Sequence, residues 1–313
     1  MAGTAAPGPD RLPLGVTMIV FATLTMALQD AVVKLVSTDL PLWQLFALRS
    51  LIAIPLLLVL HRLARETGGL RPRALGWGLL RGALLVAMYI AFYAALPLLD
   101  LSLVAAAYYT GPLFITLFAA TLLGEGVGPR RILAIALGFA GVLVILKPGT
   151  ESFSWAMIIP IASAVFYALA AILTRSKCAA ESAISLSLML NVCFILCGFG
   201  VSLVLWIWQP GTEQQQANPF LLGDWVTIDL KTGAVLALLA VANVAIHVAL
   251  AKAYQSAPPP VIATFDYSYL IFAAVWGYLI LSEVPQTTTL IGMAVIAGAG
   301  MLAIWRPGRR ARS

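Results

Sequence analysis

The sequence predicts an all-α integral membrane protein whose ten transmembrane helices form two inverted five-helix repeats. Three observations carry this prediction: the composition, the length of the apolar segments, and a similarity between two segment ends. Hydrophobic residues make up 61% of the 313-residue chain and charged residues 10%, whereas soluble domains carry about 25% charge. So few charges cannot cover a water-soluble surface, and the chain is far too apolar to be intrinsically disordered.

Ten apolar segments have about the 20 residues that a helix needs to cross roughly 30 Å of hydrocarbon. They lie near 14–36, 41–60, 74–98, 101–123, 131–147, 153–174, 182–208, 231–254, 258–281 and 287–305. Gly- and Pro-containing connectors separate most of them. These segments are much longer than the alternating strands of an outer-membrane barrel. Residues 1–13 predict a disordered tail, and residues 307–313 predict a short basic tail.

Two segment ends repeat along the chain. Residues 121–148 and 279–307 each contain the end of one apolar segment, a Glu in the following connector, and a second segment that finishes in a basic residue and Pro. Glu125 aligns with Glu283 at an offset of 158 residues. This similarity predicts that the end of the first half of the chain corresponds to the end of the second half.

The chain therefore divides into a first repeat at 14–149 and a second repeat at 150–306, with a polar external loop at 209–230. Each repeat has five spans, so the second repeat enters the membrane upside down. Inverted-topology repeats are typical of transporters, because rocking one half against the other alternates access to a site between them.

Basic residues predict the orientation, because cytoplasmic loops are enriched in Lys and Arg. Fourteen lie on the side of the two termini: Arg11, Arg62, Arg65, Arg71, Arg73, Arg130, Arg131, Arg175, Lys177, Lys252, Arg306, Arg309, Arg310 and Arg312. Three lie on the other side: Lys34, Lys147 and Lys231. Both termini are thus expected to be cytoplasmic. The net charge of +6 marks topology and does not indicate a nucleic-acid partner.

The Gly-Glu pair at 124–125, the Gly-containing span after it and the Lys-Pro ending at 147–148 resemble the drug/metabolite transporter superfamily of EamA type. The stretch QDAVVKLVSTDLPLWQLFALRS at 29–50 resembles the EamA subgroup that includes S-adenosylmethionine and riboflavin uptake proteins. The resemblance extends over about 14–306. It implies a secondary transporter of small metabolites in the bacterial inner membrane, with a cavity among spans 1, 3, 4, 6, 8 and 9.

Other functions fit the sequence less well. The chain has no Gly-x-x-x-x-Gly-Lys loop for ATP, and two His with no Cys-x-x-Cys leave no zinc-type site, so we expect no cofactor and no metal. An integral membrane enzyme of lipid metabolism would need paired acidic clusters or His with carboxylates at an interface. The acidic residues here are isolated, so we do not expect an enzyme. A channel or an assembly factor is the remaining alternative.

Charges inside spans are costly and by default functional. Asp30 lies about 9 Å from one end of span 1, and Arg49 lies about 12 Å into span 2 from the same side. A four-residue connector makes these spans neighbours, which predicts an Asp30–Arg49 ion pair. Lys34, one turn after Asp30, shares its helix face and competes for the carboxylate. The pair is either a structural link between the two spans or a functional pair that breaks during transport. In the second case it acts as a gate or is linked to a proton.

A second charged layer is predicted near the cytoplasmic face. Arg81 lies about 10 Å from that face, Asp266 about 12 Å, and His247 roughly 6 Å. All three are candidate substrate-binding or coupling residues. If Arg81 is distant, Asp266 is free to carry a proton or to meet a cationic group; if they pair, an uncharged planar ligand fits better. The structural alternatives are snorkelling of Arg81 to headgroups and hydrogen-bonded packing of His247.

Aromatic and amide side chains complete the predicted site, because phenol rings stack on planar ligands and their hydroxyls form hydrogen bonds. The alternative is helix packing or an interfacial belt. The tyrosines considered near this region are Tyr89, Tyr93, Tyr108, Tyr109, Tyr167, Tyr267 and Tyr269. Asn243 in span 8 is either interhelical glue or a site residue. Glu125 and Glu283 are predicted to accept backbone N–H bonds from the start of the following helix.

Overall fold

The computed structural model describes residues 12–64, 72–124, 128–147, 154–178, 181–256, 262 and 265–304. Over these ranges the regular structure is helical and no strand occurs, as the sequence predicts. The helices are α1 (Leu12–Leu35), α2 (Leu42–Ala64), α3 (Leu75–Ala95), α4 (Leu101–Tyr108), α5 (Gly111–Leu123), α6 (Pro129–Leu146), α7 (Ile159–Lys177), α8 (Ala183–Trp208), α9 (Thr212–Ala217), α10 (Pro219–Leu222), α11 (Leu230–Ser256), α12 (Ser268–Leu281) and α13 (Thr287–Ile304).

Seven segments of the described chain are long and apolar enough to cross a membrane: Leu12–Leu35, Leu42–Leu63, Leu75–Ala95, Leu101–Leu122, Trp155–Thr174, Ile184–Trp208 and Leu230–Leu250. Three shorter apolar helical segments are Ile132–Leu146, Ser268–Leu281 and Thr287–Leu302. Large apolar side chains also face outward, as Leu196 and Trp206 of α8 do with exposures of 65% and 71%. Such an exterior is costly in water, so it faces lipid.

The predicted fourth span, 101–123, is not one continuous helix. α4 ends at Tyr108 and α5 begins at Gly111 after a short turn. Pro112 is the physical reason, because proline has no N–H to donate to the carbonyl one turn earlier and its ring clashes with that turn. A span interrupted in this way exposes backbone polar groups inside the membrane, which is tolerated where the backbone lines a cavity or is buried in protein.

The predicted ninth span, 258–281, also contains a turn. Phe265 and Asp266 are helical, Tyr267 lies in a turn, and α12 then begins at Ser268. The turn lies 158 residues after Tyr109, at the offset that relates the two segment ends of the sequence. Interrupted helices therefore occur at corresponding positions in the two halves.

The connection at 209–230, predicted as one polar loop, contains two short helices, α9 and α10. It is held against α2: Trp43 Nε1 donates to the carbonyl of Leu221 at 2.7 Å, and Gln44 exchanges two hydrogen bonds of 2.8 Å with the backbone of Val226. These bonds satisfy backbone groups that an irregular loop would leave unpaired.

The helices of the two halves pack between one another. Several contacts occur in matching pairs. α1 packs against α11, and α3 packs against α7; α2 contacts α11, and α3 contacts α8. α1 contacts α12 while α7 contacts α4 and α5, and two further interfaces join α2 to α8 and α6 to α13. Every one of these contacts joins an element of the first half to an element of the second half. The backbones of α6 and α13 approach closely because both have glycine at the contact. A Cβ added at Gly141 would lie 3.2 Å from the carbonyl oxygen of Gly292, and a Cβ added at Gly292 would lie 3.0 Å from that of Gly141.

Candidate functional site

A buried carboxylate holds three helices together. Asp30 of α1 is 4% exposed. Its Oδ2 accepts a hydrogen bond of 2.7 Å from the hydroxyl of Tyr269, and its Oδ1 accepts one of 3.2 Å from the hydroxyl of Tyr93. Gln29 Nε2 donates to the same Tyr93 hydroxyl at 3.4 Å. We call these four residues the Asp30 cluster. It joins α1 and α3 of the first half to α12 of the second half.

A small cavity of about 20 Å³ lies beside the Asp30 cluster. Its walls come from α1, α3, α4 and α12: Met26, Asp30, Met88, Tyr89, Phe92, Tyr108 and Tyr269. Asp30, Tyr89 and Tyr108 are among the site residues predicted from the sequence. Ligand pockets usually enclose about 300–1,000 Å³ and combine apolar walls with a few polar groups. This cavity shares that mixed lining but is far smaller, so side chains must move before an organic molecule can enter it.

The structure does not bring Asp30 and Arg49 into the predicted ion pair. The tyrosine hydroxyls occupy the carboxylate oxygens instead. The guanidinium carbon of Arg49 lies 5.0 to 6.0 Å from the centroids of three rings, those of Phe46, Tyr89 and Phe194. Arg49 still acts electrostatically on Asp30, at longer range than a salt bridge.

Lys34 forms an ion pair with Glu283, and not with Asp30. Its Nζ also donates to the carbonyl of Leu99, and Glu283 Oε2 accepts the N–H of Leu101 at 2.7 Å. We call these four residues the Lys34–Glu283 network. It joins the end of α1 to the start of α4 and to the turn between α12 and α13. Glu283 thus accepts an N–H from a helix start, but that helix is α4 rather than the following helix.

Glu283 bonds to α4 because the turn before α13 folds back over the start of α4. The first N–H groups of α4 have no acceptor within their own helix, and a carboxylate satisfies one of them while it complements the helix dipole. Glu125, the corresponding residue of the first half, lies outside the described residues.

Asp266 is held much more loosely than Asp30. Its side chain is half-buried, and its Oδ1 lies 3.5 Å from the hydroxyl of Tyr109, beyond the roughly 2.5–3.0 Å of a good hydroxyl–oxygen hydrogen bond. Tyr167 and Tyr267 lie within electrostatic range of the carboxylate. We call Asp266, Tyr109, Tyr167 and Tyr267 the Asp266 cluster.

Arg81 does not pair with Asp266. Its Nε donates to Thr174 Oγ1 at 2.6 Å, which ties α3 to α7. Tyr167 lies within electrostatic range of both Arg81 and Asp266, so the two charges approach a common phenol without contacting each other. Of the two arrangements considered from the sequence, paired or distant, the structure therefore has the one in which Arg81 and Asp266 are apart.

The predicted residues of α11 lie at the edge of this region. His247 is half-buried and lies within electrostatic range of Arg81 and Arg49. Asn243 is 5% exposed, and its Oδ1 has no hydrogen-bond partner within the described ranges. The hydroxyl of Tyr267 is likewise buried and unpaired there. Buried polar atoms normally have a partner, so these two atoms are exceptions among the predicted site residues.

The two clusters meet in a stacked pair of tyrosines. The rings of Tyr109 and Tyr269 lie 5.0 Å apart with an interplanar angle of 16°. Tyr269 belongs to the Asp30 cluster and Tyr109 to the Asp266 cluster. Tyr108, beside them, lies within electrostatic range of both carboxylates. One continuous aromatic wall therefore connects the two acidic groups.

Sequence reasoning did not assign three features of this site: the Tyr269–Asp30 hydrogen bond, the aromatic cage of Arg49, and the turn between α4 and α5. Pro112 was a signal for the turn, because proline interrupts a helix. The other two features join residues far apart in the chain, and no local pattern indicates them. Among the described residues, no group of three or more His, Cys, Asp or Glu side chains lies close enough together to hold a metal ion.

Comparisons with known proteins agree with this architecture. Residues 13–147 match the EamA-like transporter family. The chain is 30% identical over 297 residues to a pseudopaline exporter of Pseudomonas aeruginosa, covering 93% of this chain and 95% of that protein. It is 27% identical to a riboflavin transporter of Rhizobium johnstonii, with coverages of 97% and 95%. It is 23% identical to an S-adenosylmethionine uptake transporter of Rickettsia prowazekii, with coverages of 93% and 92%.

A solved crystal structure has the same fold, with a TM-score of 0.59 at 19% identity over 94% of this chain and 96% of its own. The match to the exporter extends over nearly the whole of both proteins. The matched family and the relatives are named as transporters, which supports a membrane transporter and not an enzyme. The chain belongs to the EamA-like transporter family.

Proposed function

We propose that this transporter moves a small organic metabolite across the bacterial inner membrane by alternating access, and that the cavity beside Asp30 is its substrate site. The observation that carries the proposal is the position of Asp30: a buried carboxylate that lines a cavity and bonds helices from both halves. A group shared by two moving halves senses both substrate and conformation. The relatives named above carry pseudopaline, riboflavin and S-adenosylmethionine, and these names support a small-molecule substrate.

The proposal includes ten spans in two inverted repeats, with domains at 14–149 and 150–306. Seven membrane-length segments and three shorter apolar helices support the number ten. The helix contacts support the repeat, because exchanging the two halves turns the α1–α11 contact into the α7–α3 contact and the α2–α11 contact into the α8–α3 contact. Interrupted helices at corresponding positions of two repeats are typical of transporter binding sites.

Both termini are proposed to be cytoplasmic, because fourteen basic residues share their side of the ten spans and three lie on the other. Reporter fusions after Arg73 and after Ser313 should then report a cytoplasmic location, and fusions within 209–230 should report an external one. A cytoplasmic signal from 209–230 would contradict both the ten-span count and the inverted repeat.

In this orientation the Lys34–Glu283 network closes the external end of the site. It ties α1, α4 and the turn before α13 with an ion pair whose side chains are 14% and 13% exposed. Opening toward the outside requires these bonds to break, so Glu283→Gln should raise the accessibility of cavity cysteines to external reagents. A Met88→Cys variant with and without Glu283→Gln provides the comparison.

Proton coupling is proposed to use Asp266. Its carboxylate is half-buried, has one long contact with Tyr109, and lacks the ion pair with Arg81 that would hold it ionised. Asp30 has two closer hydrogen bonds and suits a binding role better.

Transport by purified protein in proteoliposomes tests the function. Radiolabelled S-adenosylmethionine and riboflavin serve as probes, with liposomes lacking the protein as the reference. Saturable uptake that is lost in Asp30→Ala and kept in Asp39→Ala, an exposed carboxylate, supports the proposal. Flux that rises linearly with concentration would indicate a channel. Chemical conversion of a probe would indicate the alternative, an integral membrane enzyme.

A further inference from the structure

Arg49 is a buried charge with unused hydrogen-bond donors. It lies in α2 and is 1% exposed. None of its three guanidinium nitrogens has a hydrogen-bond partner in the part of the chain that the structure describes. A guanidinium carries five N–H donors and no acceptor. Leaving a charged group buried and unbonded costs several kcal/mol, so this arrangement is expected only where a ligand completes it.

The surroundings of Arg49 supply attraction but no acceptor. The guanidinium carbon lies 5.8 Å from the ring centroid of Phe46, 6.0 Å from that of Tyr89 and 5.0 Å from that of Phe194. Aromatic faces attract a cation and stabilise it by up to about 2 kcal/mol when water is excluded. They leave the N–H groups unbonded, because a ring has no lone pair in the plane of the guanidinium fork.

Asp30 does not fill this role either. Both of its oxygens accept hydrogen bonds from tyrosine hydroxyls, and it forms no ion pair with Arg49. Tyr93 lies within electrostatic range of both charges. A permanent pair of Asp30 and Arg49 bridged by the Tyr93 hydroxyl is the competing explanation. That hydroxyl can accept one N–H of Arg49 and would leave the other four donors unsatisfied.

Tyr89 separates Arg49 from the cavity. Its ring faces the guanidinium, and the same side chain lines the cavity together with Asp30. A rotation of this one side chain would connect the guanidinium to the cavity. The space would then have a carboxylate on the α1 side and a cation with a free planar fork on the α2 side.

We propose that Arg49 binds a carboxylate of the transported molecule while Asp30 receives an ammonium group of the same molecule, so that the substrate is a zwitterion. This inference rests on the proposed function, because it assumes that the cavity is the substrate site. The guanidinium fork matches a carboxylate in a bidentate geometry that lysine cannot reproduce. Bidentate binding would also satisfy two of the five donors and supply a counter-charge, which stabilises the buried guanidinium when the site is occupied.

Matched ligands test the carboxylate directly. S-adenosylmethionine, L-tryptophan and L-arginine are each compared with the corresponding decarboxylated amine, and riboflavin is the carboxylate-free probe. Affinities are measured by calorimetry on full-length protein in nanodiscs. We expect at least one zwitterion to bind about tenfold or more tightly than its amine.

Variants connect that preference to Arg49. In Arg49→Gln the preference should fall to about twofold or less, because the zwitterion loses its partner while the amine still meets Asp30. Arg49→Lys should keep an intermediate preference, and it serves as the readout if Arg49→Gln folds poorly. Lys252→Gln, which removes an exposed charge at the end of α11, should keep the wild-type preference.

Several outcomes would overturn the inference: equal binding of zwitterion and amine, a preference that survives in Arg49→Gln, or no binding by any zwitterion. Binding and transport of riboflavin alone would overturn the zwitterion and leave the proposed function intact. Absence of transport for every probe that binds would count against the proposed function itself.

Discussion

The two acidic clusters differ in how firmly the protein holds the carboxylate. Asp30 is almost fully buried and accepts hydrogen bonds of 2.7 and 3.2 Å from two tyrosines. Asp266 is half-buried and has a single contact of 3.5 Å. A carboxylate with several hydrogen bonds is fixed in place, whereas one with a single long contact can rearrange at little structural cost. The difference supports the two roles that we propose, binding at Asp30 and proton exchange at Asp266.

The stacked Tyr109–Tyr269 pair explains how these two roles are connected. Each ring carries the hydroxyl that points at one carboxylate, so a shift of one ring moves the other. Tyr269 begins α12 and Tyr109 lies in the turn before α5, which places the pair at the two helix interruptions. We propose that substrate binding at Asp30 affects the geometry around Asp266 through these packed rings.

Removing the firmly held carboxylate should have the largest effect. Asp30→Ala leaves two buried tyrosine hydroxyls without their acceptor, which costs about 1–3 kcal/mol for each hydroxyl left unsatisfied. We expect transport to fall below detection in proteoliposomes and the melting temperature in nanodiscs to drop. The exposed Asp39→Ala is the matched control and should behave as the wild type.

A double-mutant cycle sharpens this prediction. Asp30→Asn should lower stability by leaving Arg49 without a counter-charge, and adding Arg49→Gln should recover part of the loss. If the double variant is as unstable as the sum of the two single variants, the long-range interaction between these side chains contributes nothing.

Removing the loosely held carboxylate should separate energy coupling from substrate movement. Asp266→Asn cannot exchange a proton, so uptake driven by a pH gradient should fall about tenfold or more, while exchange at equilibrium stays within roughly threefold of the wild type. Both rates are measured in the same proteoliposomes at equal protein content. Unchanged gradient-driven uptake would remove Asp266 from the mechanism and would break the division of roles between the clusters.

How much of this site the sequence predicts depends on the range of each interaction. The sequence predicts Asp30 as part of a gate or ion pair and Tyr89 and Tyr108 as substrate-binding or coupling residues, and all three side chains line the cavity. The partners of Asp30 were not predicted correctly: Arg49 was expected, and Tyr93 and Tyr269 were found. Depth in the membrane follows from the helical rise along one span, whereas the rotation of each helix depends on packing with distant segments.

The fold shows the same division. The all-helical architecture and most helix positions follow from apolar runs, whose length is set by the membrane itself. The break within the predicted span 101–123 was missed, because its residues are as apolar as those of an unbroken helix and only Pro112 marks it. The Lys34–Glu283 pair was also missed, since it joins residues 249 positions apart.

The tyrosines provide a smaller test of the comparison. Tyr269→Phe removes the 2.7 Å hydrogen bond to Asp30 and should destabilise the protein by about 1–3 kcal/mol, whereas Tyr109→Phe removes only the 3.5 Å contact and should cost less than about 1 kcal/mol. Phenylalanine preserves the ring packing in both variants. Equal losses of stability, measured by thermal unfolding in nanodiscs, would show that the two carboxylates are held equally firmly.

The smallest expected effect comes from removing the charge of Asp229, a solvent-exposed carboxylate. It serves as a reference for any pH dependence of transport that is assigned to Asp30 or Asp266. Asp229, at the start of α11, is fully exposed and accepts the backbone N–H of Thr232 at 2.7 Å. This hydrogen bond lowers the pKa of Asp229 below its ordinary value of 3.8. A carboxyl with a lowered pKa stabilises the folded state above that ordinary value and loses this contribution as the pH falls through its own pKa.

Asp229→Asn keeps the helix cap and removes only the charge, because asparagine is as good an N-cap as aspartate. We therefore expect a melting temperature within about 1 °C of the wild type near pH 7, with the wild type the more stable, and a difference that vanishes below pH 3.8. Between about pH 5 and 8 the variant should transport at the wild-type rate. A pH profile of transport that changes in Asp229→Asn would show that surface carboxylates contribute to it, and the profile could then no longer be assigned to Asp266 alone.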